Sequence, residues 1–525
     1  MSNSLLERIT FGANQSEVQD FSRLGPSRWI QKQLNPTRDD PSLGSALDKA
    51  VLRISYSAST ASAPEFEALN ENRSLSLLNQ STEQLWPLTD NKRKIAYQER
   101  TRPVAEATAS KLLHARYSQW QLRELMVDFW QNHFNVHAGD ISVAVGMPEF
   151  DADLRRLALG NFQELLTKVA KSTPMLVYLN NRSSKTGAPN ENFARELFEL
   201  HTLGRTNYLN DLYSRWREVP GALQGKPSGY IDQDVYEAAR AFTGWTVEDG
   251  RGIGSGLSLP STGKFTYLDA WHDPYQKRVL AQEFEPYQAA MADGQRVLDM
   301  LSNHSGTAQY ICEKFCRRFV SDQPPAQLVA SAAKVWMANA KSSQQIAHVL
   351  EHILLSEELQ TGLKSAKHKK LKRPLELAIS FMRKLDLELA PSQGLVNQIS
   401  NAGQRLYYWP TPDGHPDVNS YWLTSHAIRQ RWFLPVGLLD NWWGTGFVGT
   451  EKLLNVSGFS ATHEGLLEAL SKRLLGESSQ VSLRQVRGAQ KLEVTTGLLS
   501  QSQDEWNGIR RTLAYLAMSP QFQWK

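Results

Sequence analysis

The chain has little cysteine, little excess charge of either sign, and no long apolar run. Cys312 and Cys316 are its only cysteines in 525 residues, so no disulfide framework holds the fold. They fall on one face of a helical pattern, where a disulfide between them does not close, and two buried thiols in a reducing compartment are expected. Basic and acidic side chains nearly cancel, leaving a formal charge of +4, which excludes the electrostatic footprint of a nucleic-acid-binding chain. No stretch reaches the about 18 apolar residues of a membrane span. Residues 1–12 lack the basic and apolar regions of an export signal, so the cytoplasm is the expected compartment as written. The periplasm is the alternative if the chain derives from a longer precursor. There is no P-loop, G-x-S-x-G or H-E-x-x-H. Gly444, Gly446 and Gly449 fit G-x-G-x-x-G, but no βαβ pattern surrounds them, so they read as a Gly-rich loop.

What is present is helical periodicity. With 41% apolar and 21% charged residues the composition is that of an ordinary globular protein. Apolar positions recur at helical spacing from residue 91 to 170 and again from 291 to 388. The expected fold is mainly α: a large multi-helix globular protein with long irregular loops and at most a few short strands. One domain over 1–525 is expected, with a loop-rich insertion at 36–92 and a loop insertion at 205–229. An aromatic and Pro-rich loop segment is expected at 402–449. Lys367 to Arg373 reads as a solvated helix start before Pro374.

The richest stretch runs from Asn190 to Gly204 and packs Asn, Arg, several Glu and a His into a few helical turns. Asn190 suits a helix start and Gly204 a stop. At 3.6 residues per turn Asn192, Arg195, Glu196 and Glu199 share one face, while His201 lies with Ala194 and Leu197 on another. Partial burial of that polar face is expected, and buried charges need partners, a metal or a substrate. Upstream, His133 and His137 are four apart, with Asp128 and Asn132 beside them, so both histidines face one ligand if the helix persists. Downstream, His272 and Asp273 precede Pro274 in a turn.

Together these pieces resemble a family of large bacterial proteins carrying domain of unknown function 1800. The resemblance rests on Leu122-Arg123-Glu124 to Trp130-Gln131-Asn132-His133-Phe134, on Asn190-Glu191-Asn192 to His201-Thr202-Leu203-Gly204, and on Asp234-Val235 to Thr243-Gly244-Trp245. It continues through His272-Asp273, Lys277, Pro410-Thr411-Pro412-Asp413-Gly414 and Ser519-Pro520-Gln521-Phe522. In the family a Gly-Tyr turn closely follows the His-Thr-Leu-Gly end, whereas here residues 205–228 intervene. Relatives often carry an export signal and occur beside a second family similar to sulfatases and alkaline phosphatases. The resemblance therefore implies a companion protein of that kind as a partner.

The matched positions suggest chemistry. His133, Glu199, His272 and Asp273 supply a ligand set suited to a divalent transition metal (Zn, Fe or Mn), supporting hydrolytic or oxidative reactions. Glu196 and His201 are the catalytic acid–base candidates, with Arg195 to bind an anionic substrate group. The ferritin-like Glu-x-x-His spacing is absent, which argues against a di-iron bundle. The alternative is a non-catalytic helical scaffold that binds a partner protein through the aromatic, Pro-rich 402–449 surface. In that case Arg195, Glu196, Glu199, Asn132 and His133 form a structural hydrogen-bond network.

Overall fold

The computed structural model describes residues 2–37, 39–59, 65–365, 368–445, 462–476 and 503–525. Lys367, the last residues (446–449) of the aromatic segment and, with them, Gly446 and Gly449 of the G-x-G-x-x-G match lie outside the described residues.

 Helices dominate, and the described strands form four separate two-stranded antiparallel pairs. One buried apolar cluster runs from Leu5 to Phe522, so the first and last helices close on the same core.

At its centre is the Gln121–His133 helix, buried along most of its length. Trp130 packs against Phe129, Phe134, Phe162 and Phe315 with ring centroids 4.9 to 5.9 Å apart, and its indole N–H donates to the Ala158 carbonyl at 2.9 Å. Replacing such a ring with alanine costs roughly 3–5 kcal/mol. The helix stops at His133, because Phe134 leaves helical geometry. His137 therefore lies beyond its end, against the Tyr408 ring, and the expected i,i+4 pairing with His133 does not form.

The 36–92 region is more regular than its Ser/Asn/Pro composition suggests. It contains the Pro41–Lys49 helix, a Val51–Tyr56/Leu69–Ser74 strand pair and the Thr82–Leu85 turn of helix, which Ser81 and Gln84 cap reciprocally. The 205–229 region is a run of short 3₁₀ turns with a small apolar cluster of Val219, Ala222 and Ile231. Within 402–449, the Ser425–Leu439 helix follows a 3₁₀ turn at Asn419–Leu423. Both cysteines are free and buried, as the reading of two core thiols requires.

The basic run before Pro374 is not solvated. Lys370, Lys372 and Arg373 are 2–3% exposed, and carboxylates from distant segments meet them. Lys370 reaches Asp322 at 2.6 Å, and Arg373 reaches Asp417 at 3.0 Å and Asp128 at 3.4 Å. Nearby, Glu376 accepts from Arg318 at 2.7 Å and from Lys525 at 2.6 Å. Sequence proximity hid this, because every partner comes from another part of the chain. No helix among the described residues is long and apolar enough to cross a membrane.

Candidate functional site

Asn190 starts the central motif as expected: its side chain accepts from the Phe193 N–H at 3.1 Å. The helix is α through Glu196 and then widens to a π-turn over Leu197–Thr202. Thr202 Oγ1 donates to the Leu197 carbonyl at 2.6 Å, and the Leu203 and Gly204 N–H groups both reach back to Phe198. Gly204 ends the turn at φ +80°, and a Cβ there would stand 2.5 Å from the Tyr310 ring. A helix end leaves carbonyls without intrahelical partners, and here the His201 carbonyl is claimed from outside.

The claimant is His133. Its Nε2 lies 3.1 Å from the His201 carbonyl oxygen, and its Nδ1 lies 2.8 Å from Lys314 Nζ on the Ser305–Phe319 helix. A carbonyl only accepts, so Nε2 carries the proton and Nδ1 offers its lone pair to the Lys314 amine. The His133 and His201 rings are 6.0 Å apart, and His201 Nε2 is buried with no hydrogen-bond partner among the described residues. Burial, with Lys314 beside it, holds the His133 imidazole well below its usual range and takes His201 down to about 3, so both rings are neutral.

Lys314 is half-buried and has no carboxylate within ion-pair distance among the described residues. Burial brings its ammonium down to about 8, helped by Arg317 and Arg373, although Asp417 and Asp413 pull the other way. The Pro410–Gly414 loop carries Asp413 and is locked to the end of the His133 helix. Asn132 donates to the His415 carbonyl at 3.0 Å and accepts from its N–H at 2.8 Å. Gly414 has φ +71°, and a Cβ on it would collide with the Asn132 carbonyl oxygen.

Glu196 is the carboxylate left over. It is half-buried and makes no hydrogen bond or ion pair among the described residues. Burial first, then Glu199 and Asp413, raise it to about 7 against the opposing pull of Arg205 and Arg195. Its neighbours are taken: Arg195 pairs with Glu191 and, at 3.1 Å, with Asp232, while Glu199 pairs with Arg205. Arg195 is thus not a free anion receptor. The polar face resolves into separate pairs instead of one network.

His272 and Asp273 belong to a second network. His272 Nδ1 faces the Thr243 carbonyl at 3.0 Å, and Nε2 faces Asp293 at 3.3 Å. Asp273 holds Arg240 through two contacts of 2.8 and 3.0 Å. Fully buried Lys277 spans the Asp273 and Tyr275 carbonyls and Asp293 at 2.6 to 2.8 Å. No hydrogen bond or ion pair among the described residues links this network to the His133 and His201 side chains, so the four expected metal ligands stand in two places. Among the described residues no three His, Cys, Asp or Glu side chains are grouped to hold a metal ion.

The family profile described as "Protein of unknown function (DUF1800)" matches residues 4–524. The chain belongs to this family. No curated protein and no solved structure matches it. In this DUF1800 chain the 122–134, 190–204 and 410–414 segments meet around His133, and the 234–245 and 272–277 segments meet around Lys277.

Two site residues escape sequence reading. Lys314 lies between Cys312 and Cys316 in a helix that reads as an ordinary amphipathic one, and only the fold brings it to His133. Asp293 sits in the first turn of the Ala292–Ser302 helix, where an acid is a routine dipole partner.

Proposed function

We propose that the protein is an enzyme that carries out hydrolytic acid–base chemistry at Glu196, Lys314 and His133. The observation that carries this reading is the Lys314 amine held 2.8 Å from the His133 lone pair with no carboxylate to neutralise it. Two groups whose surroundings push an acid up and an amine down suit proton transfer near neutral pH. In this reading the neutral Lys314 amine takes a proton from water while one of its N–H bonds stays on His133 Nδ1. The hydroxide so formed attacks the substrate, and protonated Glu196 gives its proton to the leaving group. His201 fixes the His133 tautomer through its main-chain carbonyl.

A Zn, Fe or Mn cofactor belongs to a separate reading, in which His201, whose Nε2 has no partner among the described residues, and an ionised Glu196 would be ligands. A second reading, the partner-binding scaffold, is favoured by the aromatic surface at Trp432 and Trp442, which are 46% and 54% exposed. A sulfatase- or phosphatase-like companion would dock there. The deciding experiment is turnover of a panel of ester, amide and phosphate-ester substrates by wild type, Glu196→Gln and Lys314→Met, with thermal unfolding of each. Activity lost in both variants at unchanged fold supports the enzyme. Activity kept in both, or none in the wild type alongside companion binding that Trp442→Ala abolishes, supports the scaffold instead.

A further inference from the structure

A cavity of about 810 Å³ lies away from the Glu196 site, where the Ser2–Arg8 helix meets the His463–Leu475 helix and the last residues of the chain. Seven of its lining side chains are cationic: Arg8, Lys369, Lys372, Lys384, Lys472, Arg473 and Lys525. Glu7 is the single acid among the described lining residues. Its carboxylate serves two ammonium groups, Lys384 at 3.1 Å and Lys372 at 3.5 Å. Lys525 is neutralised from behind by Glu376 at 2.6 Å.

The remaining cations have no carboxylate at ion-pair distance among the described residues, although Asp386 acts on Arg473, and Glu376 and Asp322 act on Arg8, from farther off. Lys369, Lys472 and Arg473 make no ion pair among the described residues, and all three retain exposure at the cavity. Arg8 is 1% exposed, spends its terminal nitrogens on four main-chain carbonyls, and keeps a buried Nε with no partner. Concentrating like charges in a concave site is unfavourable unless an anion enters, and low-dielectric walls strengthen its attraction. The uncharged lining is mixed: apolar Leu6, Val18, Leu363 and Trp524 stand beside polar Ser4, Asn14, Gln15 and Gln521. The volume lies within the roughly 300–1,000 Å³ of small-molecule sites.

We propose that this cavity binds a phosphorylated small molecule of nucleotide size, with its phosphates at Lys369, Lys472 and Arg473 and its apolar part against Leu6, Val18 and Trp524. Several cations that include an Arg fork suit a multiply charged phosphate better than a single carboxylate. The proposal is independent of the chemistry assigned to Glu196.

The test is calorimetric titration of the full chain with pyrophosphate, with ATP and with sulfate, at one ionic strength. Pyrophosphate and ATP are expected to bind, ATP more tightly because of the apolar wall, and sulfate to bind weakly. The double variant Lys472→Ala/Arg473→Ala alters one exposed and one half-buried side chain and should weaken ATP roughly ten- to a hundredfold, the scale of losing charge-assisted contacts. Glu7→Gln should tighten ATP, because it removes the one competing negative charge. Structural damage in that variant would instead weaken binding and lower the unfolding temperature. No binding of either phosphate, sulfate binding as tightly as pyrophosphate, or unchanged affinity in the double variant would overturn the proposal. So would binding of a polyglutamate peptide in place of both phosphates.

Discussion

Lys314 Nζ lies 2.8 Å from His133 Nδ1, while the other ring nitrogen of His133 is tied to the His201 carbonyl. The amine therefore faces a base of fixed tautomer and no neutralising acid. Competitive acylation followed by peptide mass spectrometry should find Lys314 titrating near pH 8, below the ordinary lysine range. His133→Phe removes an acceptor that favours the ammonium, so it should lower the midpoint further and speed labelling near neutral pH. A Lys314 that titrates with the surface lysines contradicts its role.

Gly414 holds the Asp413 loop against Asn132. Gly414→Ala places a Cβ into the Asn132 carbonyl and strains a left-handed backbone, a cost of about 2–3 kcal/mol. Chemical denaturation measures the loss. The same variant should change Lys314 labelling, because Asp413 acts on that amine. A stable variant with unchanged labelling would show that the loop does not shape the site.

The buried ion cluster gives a pH-dependent stability. Burial alone would raise the Glu376 carboxyl, but Arg318, Lys525 and Arg373 outweigh it and hold it far below the usual carboxylate range. A carboxyl depressed on folding contributes stability above its unfolded value of about 4.5, and that contribution is lost as pH falls below it. Glu376→Gln leaves Arg318 and Lys525 buried without a counter-charge and should cost roughly 3–5 kcal/mol at neutral pH. The difference from wild type should shrink in acid. Thermal unfolding of both proteins at neutral pH and stepwise through the acid range below about 4.5 checks it.

The fold class was legible because helical periodicity is local, and the capping of Asn190 and the stop at Gly204 are equally local. What depends on distant partners was not legible. Lys370, Lys372 and Arg373 look like a solvated run until Asp322, Asp417 and Glu7 arrive from elsewhere. His133 and His201 stand out in the sequence and do meet, yet the group on the other ring nitrogen of His133, Lys314, has no pattern to mark it. His272 and Asp273 were grouped with them by type alone, and the fold gives them Asp293 and Arg240 instead.

Metal content separates the two chemical readings of the site. Protein purified without chelator or affinity tag should carry well under one equivalent of Zn, Fe or Mn, because His133 already uses both ring nitrogens and Glu199 is paired with Arg205. One equivalent, lost on His201→Gln, would favour the metal reading.

The central claim is that Glu196 stays protonated into the neutral range. Its raised value means that the folded state carries an electrostatic penalty that grows as pH rises from about 4.5 through about 7. Glu196→Gln should therefore be more stable than wild type above pH 7, by about 1 kcal/mol once solvent screening is allowed for, and equal to it in acid. The most direct measurement is a ¹³C NMR titration of the Glu196 side-chain carboxyl in the folded protein. The expected midpoint is about 7; a midpoint of about 4.5, the ordinary value for a glutamate, would rule out Glu196 as the acid.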